Sequence, residues 1–322
     1  MRTLHQLSLV IPCFNEQEVI QTTHQRLSSI LRSLIDRSLC ASYEILYVND
    51  GSLDQTQQLL EELFSQDTHV RVITLRRNFG LQGALSAGLS LAHGDAVITI
   101  DADLQDPPEK IEEMIGFYRQ GYDLVLGVRE DRKSDSFFKR FTAENYYRLL
   151  KALGVDIVYN HGDFRLMARP LVEEFNTLTE RNRFIRSMVL TIDSHYASVF
   201  YKRQPRLQGS TKFNLFKMIS FSLDGIFSFT FVPLRLVSFL GLSFCIIVLL
   251  GCVYIYHIKL AGKALPGWTS TVLPLFLFSG LQMLCLGIIG EYVGRLYTEV
   301  KHRPLFHIRQ QLEHPSKPPS KP

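Results

Sequence analysis

Over the first 130 positions, short apolar runs alternate with longer amphipathic stretches. The runs Leu7–Pro12, Tyr43–Asn49, Val70–Leu75, Ala96–Asp101 and Leu124–Val128 are rich in β-branched residues and read as strands. Between them, Glu18–Ile35, Thr56–Phe64, Gly83–Leu91 and Pro108–Tyr118 carry apolar residues at helical spacing. Alternating β and α units of this length predict an α/β fold: a mainly parallel sheet with helices on both faces. The pattern changes in the last third. Residues 236–258 and 264–290 contain no Asp, Glu, Lys or Arg, with Thr271–Gly290 as the apolar heart of the second stretch. About 20 apolar residues cross a bilayer, so each stretch is long enough to span. Buried core helices rarely run so long without a charged face. Between sheet and spans, Phe213–Phe231 holds six phenylalanines broken by Lys217 and Asp224. This suits amphipathic helices lying in the membrane interface, with a third span as the plainer alternative. The expected domains are a cytoplasmic α/β domain (1–205), interfacial helices (206–233), two transmembrane helices (234–294) and a basic cytoplasmic tail (295–322). The tail's Pro/Ser/Lys-rich end reads as disordered.

Charge supplies the orientation. The net charge of +4 conceals an asymmetry: residues 201–322 hold 14 basic and 4 acidic residues, whereas the rest of the chain is acidic. An anionic surface is therefore expected at one end only, and the apolar spans make it a membrane and not a nucleic acid. Basic residues crowd the flanks before residue 236 and after residue 294, with only Lys259 and Lys263 in the connection. The positive-inside rule then predicts a multi-pass protein of the inner (plasma) membrane, with the large N-terminal domain and both termini cytoplasmic. Trp268, the sole tryptophan, falls in the outer connection. After Met1-Arg2-Thr3 the chain enters the first strand almost directly, so no cleavable signal peptide is expected. The cysteines at 13, 40, 245, 252 and 285 show no metal-ligand spacing and no disulfide framework.

Each predicted strand ends in polar residues: Pro12-Cys13-Phe14-Asn15-Glu16, Asn49-Asp50-Gly51-Ser52-Leu53-Asp54, Arg76-Arg77-Asn78-Phe79-Gly80 and Asp101-Ala102-Asp103-Leu104-Gln105. In a parallel sheet all four crowd the carboxyl rim, where ligands of open α/β sheets bind. Side chains two apart on a strand point the same way, so Asp101 and Asp103 are expected to project together. Hard carboxylate oxygens suit Mg²⁺ or Mn²⁺ held jointly with a substrate's phosphates. Arg129, at the end of the fifth strand, is suited to gripping a pyrophosphate or an acceptor phosphate with a bidentate fork. Arg206, Gly209, Ser210 and Lys212, just before the membrane, combine cations, a small residue and a hydroxyl, which suits a lipid phosphate at headgroup depth.

Taken together, Pro12-x-x-Asn15-Glu16, Asn49-Asp50-Gly51-Ser52-x-Asp54, Asn78-x-Gly80, Asp101-Ala-Asp103-Leu-Gln105-x-Pro107 and Arg206-x-x-Gly209-x-x-Lys212-Phe213 resemble family 2 glycosyltransferases. They look like the branch that loads sugars onto polyprenyl phosphates, and Gly290-Glu291-Tyr292-x-Gly294-Arg295 is similar to the bacterial bactoprenol enzymes. The Gln-x-x-Arg-Trp motif of processive members is absent.

The resemblance implies a Rossmann-like GT-A domain and a membrane-bound inverting transfer of one hexose, glucose first, from a UDP-sugar to undecaprenyl phosphate. A GDP-mannose-dependent synthase is the alternative, and a non-catalytic nucleotide sensor the alternative from another class. It also implies Pro12, Asn15 and Glu16 lining the nucleoside pocket, Asp50 accepting from the base, and Arg76 and Asn78 at the nucleotide. Asp101 would meet the ribose or second-shell water, Asp103 would be the principal metal ligand, and Gln105 would support metal or phosphate. Asp163 would be the catalytic base or only position the acceptor, and Arg165 would face phosphate. A homo-oligomer, a tetramer, is implied by the resemblance alone.

Overall fold

The computed structural model describes residues 2–130, 158–181, 183–204 and 267–314, together with part of 234–250. Two compact units divide the chain: 1–152 with 156–214 and 304–322, and 153–155 with 215–303.

The first unit is built on one eight-stranded sheet. Its strands are β1 (Gln6–Cys13), β2 (Ser42–Asn49), β3 (Val70–Leu75), β4 (Ala96–Thr99), β5 (Leu124–Arg129), β6 (His161–Ala168), β7 (Tyr196–Tyr201) and β8 (Ile308–Leu312), in the order β7-β5-β6-β4-β1-β2-β3-β8. Parallel pairing joins β4, β1, β2 and β3 in turn, and also β5 with β7. β6 runs antiparallel to both β4 and β5, and β8 antiparallel to β3. The predicted α/β sheet is thus present and mostly parallel, with antiparallel members that the alternation did not announce.

The βα crossovers are α1 (Ile20–Asp36), α2 (Thr56–Gln66), α3 (Leu81–Leu91) and α4 (Ile111–Arg119). Helices on both sheet faces explain why the central strands are near-continuous apolar runs, with Leu7, Leu9, Val10, Ile11, Ile45 and Leu46 all fully buried. α3 packs closely on β1 because position 88 is glycine: a Cβ there would lie 2.2 Å from a Val10 methyl carbon. At the β2–β3 edge, buried Glu44 accepts hydrogen bonds from Ser8, the His93 amide and Arg71, and Arg71 also pairs with Glu313.

β8 departs from the sequence expectation, which saw only a basic tail beyond residue 295. The chain instead returns to pair with β3. Ile-Arg-Gln-Gln-Leu has just two half-buried apolar ends, so no hydrophobic run signalled a strand. His314 follows it, stacking on Phe64 at a centroid distance of 4.0 Å.

In the second unit, Trp268–Val300 is one continuous helix, and its Leu277–Val300 portion is long and apolar enough to cross a membrane. It is the one such helix among the described residues. Trp268 is its first residue and not part of a loop. The described residues within 234–250 are helical, whereas most of the first expected span, the interfacial segment 206–233 and the end of the tail lie outside the described residues.

Candidate active site

The carboxyl ends of β1, β2 and β3 and the turn after β4 meet at one rim, as the parallel order requires. β1 and β2 pair in register up to Pro12↔Val48 and Cys13↔Asn49. Beyond β1, Asn15 adopts φ 54 and accepts from the Leu53 amide, while its own amide donates to Ser52 Oγ. The Glu16 amide donates to Thr56 Oγ1. Asn15 is thus cross-braced to the Asn49–Asp54 turn and Glu16 to the start of α2, while Pro12 pairs with Val48. Gly51, at φ +69, allows that turn to touch the next one: a Cβ here would sit 2.7 Å from the Arg77 carbonyl carbon.

Asp50 is 3% exposed, and both of its oxygens accept main-chain bonds, from Phe79 N at 2.7 Å and Gly80 N at 2.9 Å. Burial pushes its carboxyl up to about 6 against the opposing pull of those amides. The carboxylate therefore fastens the Asn78–Gly80 loop, a role the expected contact with a base did not include. Arg76 and Asn78 are exposed on this loop, and the Arg76 amide donates to the His307 carbonyl.

The Asp-rich turn corrects the strand argument. β4 ends at Thr99, so Asp101 and Asp103 lie beyond the strand and do not project from its pleat. A turn with Leu104 at φ 53 brings them together, and Asp103 accepts from the Gln105 amide at 3.2 Å. Asp101 is surrounded by charge of its own sign. Burial first, then Asp106, Asp163 and Asp103, push its carboxyl up to about 8, with Arg129 opposing. No group of three His, Cys, Asp or Glu side chains suited to a metal occurs among the described residues. Asp101 and Asp103 still fit a divalent cation that completes its shell with phosphate oxygens and water, because their oxygen donors and crowded negative charge match that ion.

Facing the acids is a cluster of arginines. Asp163, on β6 and 3% exposed, lies between Arg165 (2.8 Å) and Arg186 (2.6 Å). Burial alone would raise its carboxyl, but Arg186 and Arg165 outweigh it and hold the group well below the usual carboxylate range. A carboxylate so stabilised is a weak proton acceptor. Arg165 is fully buried; its Nη2 donates to Asp163 and the Gly162 carbonyl, while Nε and Nη1 have no hydrogen-bond partner among the described residues. His161 is buried and kept neutral by burial and the nearby arginines. Arg129, by contrast, keeps 21% of its side chain exposed.

Arg206, Ser210 and Lys212 lie outside the described residues. Residues the sequence reading passed over are Arg186, Asp106 and Tyr201. Arg186 belongs to a basic run (Arg181, Arg183, Arg186) with no strand-end signal, and Asp106 stood beside a more conspicuous pair of acids.

Residues 8–175 match the family model described as glycosyl transferase family 2. An uncharacterised glycosyltransferase of Bacillus subtilis (strain 168), YkcC, is 42% identical over 95% of this chain and 94% of its own. The bactoprenol glucosyl transferase of Shigella phage SfV is 38% identical over 95% and 99%. The prophage bactoprenol glucosyl transferase homolog of Escherichia coli (strain K12) is 38% identical over 94% and 98%. Among solved structures, Mycobacterium tuberculosis glucosyl-3-phosphoglycerate synthase with Mn²⁺, UDP-glucose and phosphoglyceric acid is 20% identical, covering 69% of this chain and 78% of that one, with a TM-score of 0.49.

Proposed function

Because this chain belongs to glycosyl transferase family 2, we propose that it moves one glucose, with inversion, from UDP-glucose to a polyprenyl phosphate at the cytoplasmic face of a membrane. The observation that carries this reading is the meeting at one rim of two acids of one turn, Asp101 and Asp103, and a part-exposed arginine, Arg129. The acids suit a cation on the donor diphosphate, and the arginine suits a second phosphate. Two relatives of nearly equal length named bactoprenol glucosyl transferase or its homolog support the acceptor and the sugar.

In the reaction, an ionised oxygen of the acceptor phosphate attacks the anomeric carbon as the bond from that carbon to the donor's β-phosphate oxygen breaks. UDP departs with the electron pair. The nucleophile needs little activation, since a phosphate monoester has its second pKa at about 6. Asp163, pinned by two arginines, therefore orients Arg186 and Arg165 instead of removing a proton. Mg²⁺ or Mn²⁺ held by Asp103 and Asp101 beside Gln105 would neutralise charge on the leaving diphosphate. Asp50 holds the nucleoside loop through its backbone amides, while Pro12, Asn15, Glu16, Arg76 and Asn78 line the donor end. Arg206, Ser210 and Lys212 complete the reading as the capture site for the lipid headgroup.

The test is a donor panel, UDP-glucose and GDP-mannose among them, offered to purified protein with undecaprenyl phosphate and Mg²⁺, with mass analysis of the lipid. A lipid gaining one hexose from UDP-glucose is expected. Gain from GDP-mannose alone would replace the sugar assignment, and nucleotide binding without any transfer would make the protein a sensor.

A further inference from the structure

Arg129 is held in a buried polar knot whose other members, Asp106 and Tyr201, have no role above. Asp106 is 1% exposed and Tyr201, the last residue of β7, is 2% exposed. The Tyr201 hydroxyl donates to Asp106 Oδ1 at 2.7 Å. Arg129 reaches both: Nε donates to the tyrosine oxygen and Nη2 to Asp106 Oδ1, each at 3.4 Å. Its Nη1 makes no hydrogen bond among the described residues and remains for a ligand. The backbone shapes a slot for this knot. A Cβ at Gly162 would lie 3.3 Å from Arg129 Nη2, and one at Gly127 would lie 2.8 Å from the Phe164 carbonyl oxygen and 3.1 Å from the Tyr201 ring. Phe164 meets that ring edge-on at 5.8 Å. The segment after Tyr201 is tied to the acidic turn as well, through Gln204 N donating to the Gln105 carbonyl at 2.9 Å.

We propose that Asp106 and Tyr201 are positioning residues: their buried hydrogen bond fixes the Arg129 guanidinium at the rim, ready for the acceptor's phosphate. The inference rests on the transfer reaction proposed above. A solvated arginine samples many rotamers, and a bidentate grip on phosphate requires one plane. Two anchoring contacts along the Nε–Nη2 edge, with Gly162 leaving room for Nη2, select that plane before the ligand arrives, which lowers the ordering cost of binding. Position 106 contributes a buried negative charge that balances Arg129 without being placed as a metal ligand.

The test is a set of variants read in two ways. Tyr201→Phe removes one hydroxyl and should lower acceptor kcat/KM by about two- to tenfold, leaving UDP affinity by calorimetry unchanged. In an Arg129→Ala background the same substitution should add less than about twofold, because residues acting through one another are non-additive. An equal loss in both backgrounds would overturn the proposal, as would a loss that appears in UDP affinity. Asp106→Asn, which preserves shape, is the second variant if Tyr201→Phe folds poorly. A substrate-free arm separates this idea from the reaction on which it rests. Phenylglyoxal labelling of Arg129, mapped by mass spectrometry, should quicken in both variants, and unchanged labelling would sink the brace whatever the acceptor is. A wild-type enzyme that glucosylates no lipid while Arg129 labelling still responds would strike the acceptor reading and leave the brace supported.

Discussion

At the scale of single residues, the rim separates acids that look alike in sequence. Asp103, in the turn, is the expected metal ligand. Asp103→Asn keeps the shape and should lower turnover at least about 100-fold, of the order seen when a preorganised charge contact is lost. Near-normal turnover at saturating Mg²⁺ would remove that role. Asp163, held ionised by Arg186 and Arg165, should behave differently. Asp163→Asn is expected to slow transfer while leaving the acidic limb of the kcat/KM profile in place, since that limb follows the acceptor phosphate at about pH 6. Displacement of the limb would restore Asp163 as the base. Asp50 provides a third contrast. Its folded-state pKa is raised, to about 6, so its contribution to stability is present below its unfolded value and is lost as pH rises through 6. Thermal melts between pH 4 and pH 7 should show that decline, shared with Asp101, and Asp50→Asn should make it shallower.

Among the elements, β1 and β8 represent opposite regimes. β1 is central, buried on both faces and tightly covered by α3 at Gly88. Gly88→Ala forces a methyl into Val10 and should cost about 1–3 kcal/mol, measurable by chemical denaturation. An unchanged midpoint would mean that α3 shifts freely. β8 lies at the sheet's edge, held through the Arg71–Glu313 pair and through His307, whose carbonyl caps Arg76 N and whose ring stands 6.0 Å from Phe79. Its legibility was poor because an edge strand with three exposed polar residues lacks the alternation that marks a half-buried strand. Tyr201, on β7, was missed for another reason: its chemistry depends on Asp106 and Arg129, which are distant in sequence.

For the molecule as a whole, the charge asymmetry and the apolar C-terminal third lead to a topology that can be measured. A reporter fused after residue 322 and another replacing 259–267 should read opposite sides of the membrane, with the tail cytoplasmic. Same-side readings would remove one of the two spans. The Leu277–Val300 helix meets the length and apolarity required for the second.

By itself, the sequence determined the α/β alternation, the order in which four polar loops follow four strands, the apolar stretches and the family. Each of these is written in local periodicity or in short motifs, where neighbouring side chains set the pattern. Tertiary structure alone decided the antiparallel entry of β6 and β8, the turn that gathers Asp101 and Asp103 beyond the end of β4, and the partners of Asp50 and Asp163. These depend on contacts across long chain separations. A carboxylate's role follows from the amides and guanidinium groups around it, and residue type and spacing do not encode those neighbours.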